Sequence, residues 1–208
     1  MSAADDDTRS TVLRDRFADL GVAVVEHALT PADLVYMDTV FPRLAPRTAG
    51  ARASDFSQPA QEWFAAHEGL LEVGRRLCGT AMRLSRLQAF DKSPEANWFV
   101  PWHQDRAEDG RERAVETLER TVALRIHLDD CCEDCGPLEA LPGSHRQGRL
   151  GAAAIAEQVA CGSPLLCLAA RGDIVAMRPL LLHRSQRARK PAARRVIHIE
   201  YTAAKSVT

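Results

Sequence analysis

The apolar positions of this chain change period about a third of the way along. Val22-Ala23-Val24-Val25 is a short apolar run entered through Gly21, and it predicts a strand. Thr30-Pro31-Ala32-Asp33 then reads as a helix start, with a hydroxyl cap and a proline in the first turn. Leu34, Met37, Phe41 and Leu44 follow at helical spacing. Residues 45–58 read as loop. A second helix is predicted from Pro59 to Cys78, with Trp63, Leu70, Gly74 and Leu77 on one face, Phe64, Leu71 and Cys78 beside it, and Gly79 as its stop. Beyond that point the helical period is lost. Met82–Lys92, Thr121–Asp129, Leu165–Leu168, Asp173–Met177 and Arg195–Tyr201 read as strands between glycine and proline turns.

Alternation assigns the faces of two of these strands. Val122, Leu124, Ile126 and Leu128 oppose Thr121, Ala123, Arg125, His127 and Asp129. In the last strand Arg195, Ile197, Ile199 and Tyr201 oppose Arg194, Val196, His198 and Glu200. Helices followed by short strands, with one apolar and one ionisable sheet face, predict a mainly β fold. In it the N-terminal helices pack on the outer face of an antiparallel sheet that closes over itself. The polar face then lines a cavity, unless it simply meets solvent as in an open two-sided sheet.

Composition narrows the classes. The 208 residues suit one domain, expected over 11–208 after a polar, disordered stretch at 1–10. A formal net charge of -1 offers no electrostatic case for nucleic acid or an anionic membrane, so a small-molecule substrate is the expected partner. The acidic start, Met1-Ser2-Ala3-Ala4-Asp5-Asp6-Asp7, is unlike a signal peptide, and no apolar run is long enough to span a bilayer. The expectation is a cytoplasmic protein whose six cysteines are reduced. Cys131-Cys132-x-x-Cys135 resembles half a zinc site with its other half missing. The oligomeric state is not legible.

Chemistry concentrates at Trp102-His103-Gln104-Asp105. A histidine and an aspartate two residues apart on an extended segment share a face and can grip one metal ion. Two histidines and a carboxylate with open positions beside them form the facial triad of non-haem Fe(II) oxygenases. His183, at the end of the apolar run Leu180-Leu181-Leu182, is the candidate third ligand, and Arg194 lies 194 − 183 = 11 residues further on. His27, His67 and His145 read as surface, helix and turn residues. By alternation His127, His198 and Glu200 face the cavity as candidate substrate contacts.

Taken together, Pro101-Trp102-His103-Gln104-Asp105, the run from Cys135 to His145, Gly172-Asp173, His183-Arg184-Ser185 and Arg194 ahead of Val196–Tyr201 resemble the phytanoyl-CoA dioxygenase family of Fe(II)- and 2-oxoglutarate-dependent oxygenases. The resemblance implies a double-stranded β-helix (jelly roll, cupin-like). It implies that His103, Asp105 and His183 hold Fe(II), with O₂ as co-substrate. Arg194 and Ser185 would take the distal carboxylate of 2-oxoglutarate, with Gln88 and Arg125 as further contacts. Because Asp105 is present, hydroxylation or desaturation is implied in place of halogenation.

The chain departs from the family pattern at Arg184, where glycine is common, and in the charged segment Arg106–Arg120, which reads as a solvated helix or lid. Its short length and polar candidates point to a compact polar substrate in place of an acyl-CoA. Two other readings stay open: a cupin-type metalloenzyme that does not use 2-oxoglutarate, and a non-catalytic binding protein that keeps the fold.

Overall fold

The computed structural model describes residues 3–43, 50–52, 55–106, 113–190 and 193–204. Leu44, residues 45–49 and 53–54 of the predicted 45–58 loop and residues 107–112 of the charged segment lie outside them. Among the described residues ten strands form two antiparallel sheets. The six-stranded sheet has the order β1 (Val22–Val25), β8 (Ile174–Met177), β5 (Thr121–His127), β10 (Arg195–Ala203), β3 (Met82–Asp91), β2 (Gly50–Arg52). The four-stranded sheet has the order β4 (Val100–His103), β9 (His183–Ser185), β6 (Leu138–Ala140), β7 (Leu165–Cys167). Two sheets face to face, with strands of each drawn from both halves of the chain, make the jelly-roll architecture that the family resemblance implied.

Two apolar layers hold the sheets. On the outer face of the large sheet, Val122, Leu124, Ile126 and Leu128 join Ile197, Ile199 and Tyr201 beneath the helices, as alternation predicted. Phe64, Leu70, Val73 and Leu77 press down on them. Between the sheets, Ala123, Val175 and Met177 of the large sheet meet Leu138, Ala140 and Cys167 of the small one. Strand β3 changes phase midway. Its register against β10 slips between Glu200 and Tyr201, which pair with Arg86 and Leu84, so Ser85 is the extra residue of a bulge. Leu84 and Leu87, three apart, therefore both meet the helix-side core, and Arg86, Gln88 and Phe90 are left on the cavity side.

The helices correct the sequence pattern in three places. Helix α1 spans Ala3–Leu20, so the chain is helical over 3–10, where disorder was expected. The helix predicted over 59–78 is two, α3 (Gln58–Ala66) and α4 (Glu68–Cys78), broken at His67. His67 ends one helix and caps the next: its Nδ1 accepts from the Leu70 amide (3.2 Å) and its Nε2 meets Asp33 Oδ1 at 3.1 Å. Strands β2, β4, β6 and β9 and helix α6 (Ala152–Cys161) were not predicted, whereas helix α5 (Val115–Glu119) falls in the charged segment read as a solvated helix or lid. Helix α2 (Pro31–Val40) carries the expected cap as a full capping box between Thr30 and Asp33. Gly79 closes α4 in the left-handed conformation at φ 68°, donating its N–H to Arg75 O.

Cys132 and Cys135 form a disulfide, and Cys78, Cys131, Cys161 and Cys167 are free. The expectation of six reduced thiols is corrected accordingly, and the half-site for zinc loses two of its three thiolates. Among the described residues no helix is long and apolar enough to cross a membrane.

The fully buried Tyr201 donates its Oη–H to Phe64 O at 2.6 Å, tying β10 to α3. Tyr201→Phe strands that carbonyl and should cost about 1–3 kcal/mol, read as a lower urea midpoint at unchanged slope.

Candidate metal centre and co-substrate pocket

His103 and His183 stand directly opposite each other across the β4–β9 ladder, with ring centroids 4.1 Å apart. Asp105, two residues past the end of β4, is held by its backbone N–H to Pro179 O (2.9 Å). Its Oδ1 lies 3.9 Å from His103 Nε2 and 3.6 Å from His183 Nε2. The three ligand atoms all fall within 4.8 Å of one another.

Each imidazole is oriented by its own strand. His103 Nδ1 donates to Pro101 O and His183 Nδ1 to Leu181 O, both at 2.9 Å. With the proton held at Nδ1, each Nε2 lone pair is free to ligate. Burial, and then the neighbouring His103 ring, push His183 down to about 3, so it is a neutral ligand at ordinary pH. Burial opposes charge on Asp105, yet His183, His198 and His103 together hold its carboxyl below the usual range. Asp105 Oδ2 is buried and has no hydrogen-bond partner among the described residues. An orphaned carboxylate oxygen beside two imidazole lone pairs is costly without a cation and fits a divalent metal.

The three residues share a cavity of about 160 Å³ with Gln88, Arg125, Ser185, Arg194 and His198. Every co-substrate contact implied by the sequence resemblance therefore lies on the walls of one cavity. Arg194 is buried, and its Nε is unpartnered among the described residues. Ser185 Oγ donates to Gly136 O (2.9 Å) and accepts from Lys92 Nζ (2.8 Å). Lys92 also donates to Gln186 O and stands over the Trp98 ring. Burial, then the charge of Arg194, push Lys92 down to about 7. Arg125 is pushed down to about 10, again by burial first and Arg194 second. Among the described residues none of these three cations has a salt-bridge partner, so the cavity is built to receive an anion.

Lys92 was not singled out from the sequence, and its environment carries a pH signature. The unfolded chain binds a proton at Lys92 up to about 10.5, whereas the folded chain releases it near 7. Between those values the unfolded state holds more protons, so stability rises with pH across that window. Denaturant midpoints at pH 7 and pH 9 should show this rise in the wild type and a smaller one in Lys92→Met.

Three further candidates are placed differently from one another. His198 lines the cavity, with its Nδ1 3.5 Å from Arg125 Nη1. His127 is buried and does not line this cavity; burial, then Arg125, push it down to about 3. Glu200 is fully buried and already paired, accepting from Arg86 Nη1 (2.8 Å) and from Arg113. The expectation that His127 and Glu200 face substrate is corrected: alternation gave the right face of the sheet, but the first side chain is buried off the cavity wall and the second is taken up by two guanidinium groups. Arg184 is likewise engaged, bonding Glu139 (2.7 Å) and lying over the Trp102 ring. His145 sits in a turn and donates Nε2–H to Ala18 O (3.1 Å).

Residues 14–196 match the model of the phytanoyl-CoA dioxygenase (PhyH) family. The chain belongs to that family. Among curated proteins no sequence matches it significantly. Solved structures share the fold of this phytanoyl-CoA dioxygenase-family chain at low identity. AviO1 from Streptomyces viridochromogenes Tue57 has a TM-score of 0.75 at 22% identity, over 94% of this chain and 97% of its own. The epimerase SnoN in complex with Fe3+, alpha ketoglutarate and nogalamycin RO has a TM-score of 0.78 at 15% identity, over 96% and 85%. EctD from S. alaskensis with 2-oxoglutarate and 5-hydroxyectoine has a TM-score of 0.73 at 17% identity, over 98% and 76%.

Proposed function

We propose that this family member is a non-haem Fe(II)- and 2-oxoglutarate-dependent oxygenase that hydroxylates or desaturates an unactivated C–H of a small polar metabolite. The observation that carries the reading is the shared cavity: His103, Asp105 and His183 on one part of its wall, Arg194 and Ser185 on another. Family membership and the complexes of SnoN and EctD support it. Residues 11–208 act as one catalytic domain in this account.

His103, Asp105 and His183 would hold Fe(II), leaving positions open for the co-substrate and O₂. Bound iron would supply the O₂-dependent decarboxylation of 2-oxoglutarate to succinate and CO₂ and the oxidation of the substrate C–H. The protein's part is placement. Arg194 offers a planar fork to the distal carboxylate of 2-oxoglutarate, Ser185 adds a hydroxyl, and Arg125 and Lys92 supply positive charge around them. Lys92 and Gly136 hold the Ser185 oxygen in place from two sides, and the hydroxyl would turn its one hydrogen from Gly136 O to the co-substrate carboxylate. For hydroxylation the balance is R–H + 2-oxoglutarate + O₂ → R–OH + succinate + CO₂.

The test is succinate release from 2-oxoglutarate that requires both O₂ and Fe(II) and is stimulated by small polar metabolites. Labelled O₂ then separates the two outcomes: hydroxylation leaves one ¹⁸O atom in the product and desaturation leaves none. Succinate release without Fe(II), or none under any condition, would contradict the reading.

A further inference from the structure

A second cavity, of about 380 Å³, meets the first at Gln88, His103 and Asp105. Its other walls are apolar at Trp102, Leu150 and Ile155 and cationic at Arg86, Arg106 and Arg149. If the first cavity holds the co-substrate, this one is where a substrate would reach the metal residues. The volume suits a small molecule. The three arginines are not equivalent. Arg86 is paired with Glu200 at 2.8 Å, so its charge is already met, and Arg106 is an exposed residue at the rim. Arg149 donates from Nη1 to the backbone carbonyl of Asp105 (3.0 Å), while its Nε and Nη2 are buried with no hydrogen-bond partner among the described residues.

Nε and Nη2 lie along one edge of the guanidinium and present two parallel N–H donors, the fork that a carboxylate takes bidentately. Leaving both shielded and unmatched is costly unless a ligand supplies the acceptors. The fork is also braced against the metal residues. Gln104, between His103 and Asp105 in sequence, donates to Gly148 O and Leu180 O (both 2.7 Å) and accepts from Leu150 N (2.9 Å). Arg149 is thus gripped on both sides by the residue that separates two of the ligands.

We infer that Arg149 is a specificity-determining residue, and that the substrate is a compact molecule whose single carboxylate docks on the Nε/Nη2 edge of Arg149 beside the metal centre. One buried, unmatched fork, with Arg86 already paired to Glu200, suits a monoanion better than a dianionic phosphate. This inference rests on the oxygenase reading for what happens next, but the docking itself can be observed separately.

The experiment follows the Nε–H resonance of Arg149 in the full chain labelled with [¹⁵N]arginine, assigned by its loss in Arg149→Lys. Butyrate, butyramide and butyl phosphate are titrated as probes. The expected result is a saturable downfield shift with butyrate and none with butyramide. No response to butyrate, an equal response to the amide, or a response to the phosphate monoester alone overturns the inference. Wild-type chelation of 2-oxoglutarate, read optically on the same preparation, separates the two levels. Chelation with no butyrate response removes only the Arg149 assignment, whereas a butyrate response without chelation removes the oxygenase reading.

Discussion

Asp105→Asn is expected to lower Fe(II) affinity by well over 100-fold and to reduce succinate formation to background, with the far-UV spectrum unchanged. The amide keeps the shape of the carboxylate but loses its charge. It also turns an N–H₂ group toward the place where both Nε2 lone pairs converge, 3.6 and 3.9 Å from the present Oδ1. Losing only an outer partner of a metal ligand costs roughly 10–100-fold in affinity or activity, so a charged direct ligand must exceed that. His183→Ala should behave alike but with some loss of stability, because its side chain is buried and bonds Leu181 O. Titration with Fe(II) under argon, followed by metal analysis of the desalted protein, measures both. Near-normal iron binding in Asp105→Asn would remove the carboxylate from the ligand set.

Arg194→Ala should leave iron binding intact and weaken 2-oxoglutarate. Removing one partner of a buried, hydrogen-bonded charge pair costs about 2–5 kcal/mol, which converts to roughly 30-fold to several thousand-fold in affinity. The loss should fall toward the lower end of that range. Lys92 and Arg125 remain in the pocket, and loss of the Arg194 charge relieves the pressure that holds both pKa values down. Arg194→Lys restores charge without the planar fork and should recover only part of the loss. The measurement is the KM for 2-oxoglutarate against kcat in succinate release. A variant with an unchanged KM would favour a metalloenzyme that does not use 2-oxoglutarate.

Much of the site was legible because its signals are local. His103 and Asp105 share a short segment, His183 closes an apolar run, and Arg194 opens a strand whose alternation is plain. What stayed hidden depends on contacts that no local pattern records. Strands β4 and β9 have four and three residues, too few for alternation to show, yet their pairing sets the two histidines face to face. The bulge at Ser85 reverses the phase of β3, so Leu84 joins Leu87 on the helix side although Arg86, Gln88 and Phe90 face the cavity. Glu200 lies on the predicted face but is taken up by Arg86 and by Arg113, which is remote in sequence.

The break at His67 was invisible for another reason. Helix-compatible residues run through it on both sides, and only the contact with Asp33, 34 residues away, shows that the imidazole has become a cap. Arg149 sits between Gly148 and Leu150 with no periodic neighbours, and its position is set by Gln104 from the middle of the metal motif.

The central claim is that one cavity brings a metal and 2-oxoglutarate together, and anaerobic addition of Fe(II) and then 2-oxoglutarate tests it most directly. A visible metal-to-ligand charge-transfer band is expected in the wild type that requires both additions, is absent in Asp105→Asn, and needs far more 2-oxoglutarate in Arg194→Ala. A wild-type protein that binds Fe(II) yet shows no such band at saturating 2-oxoglutarate would contradict it.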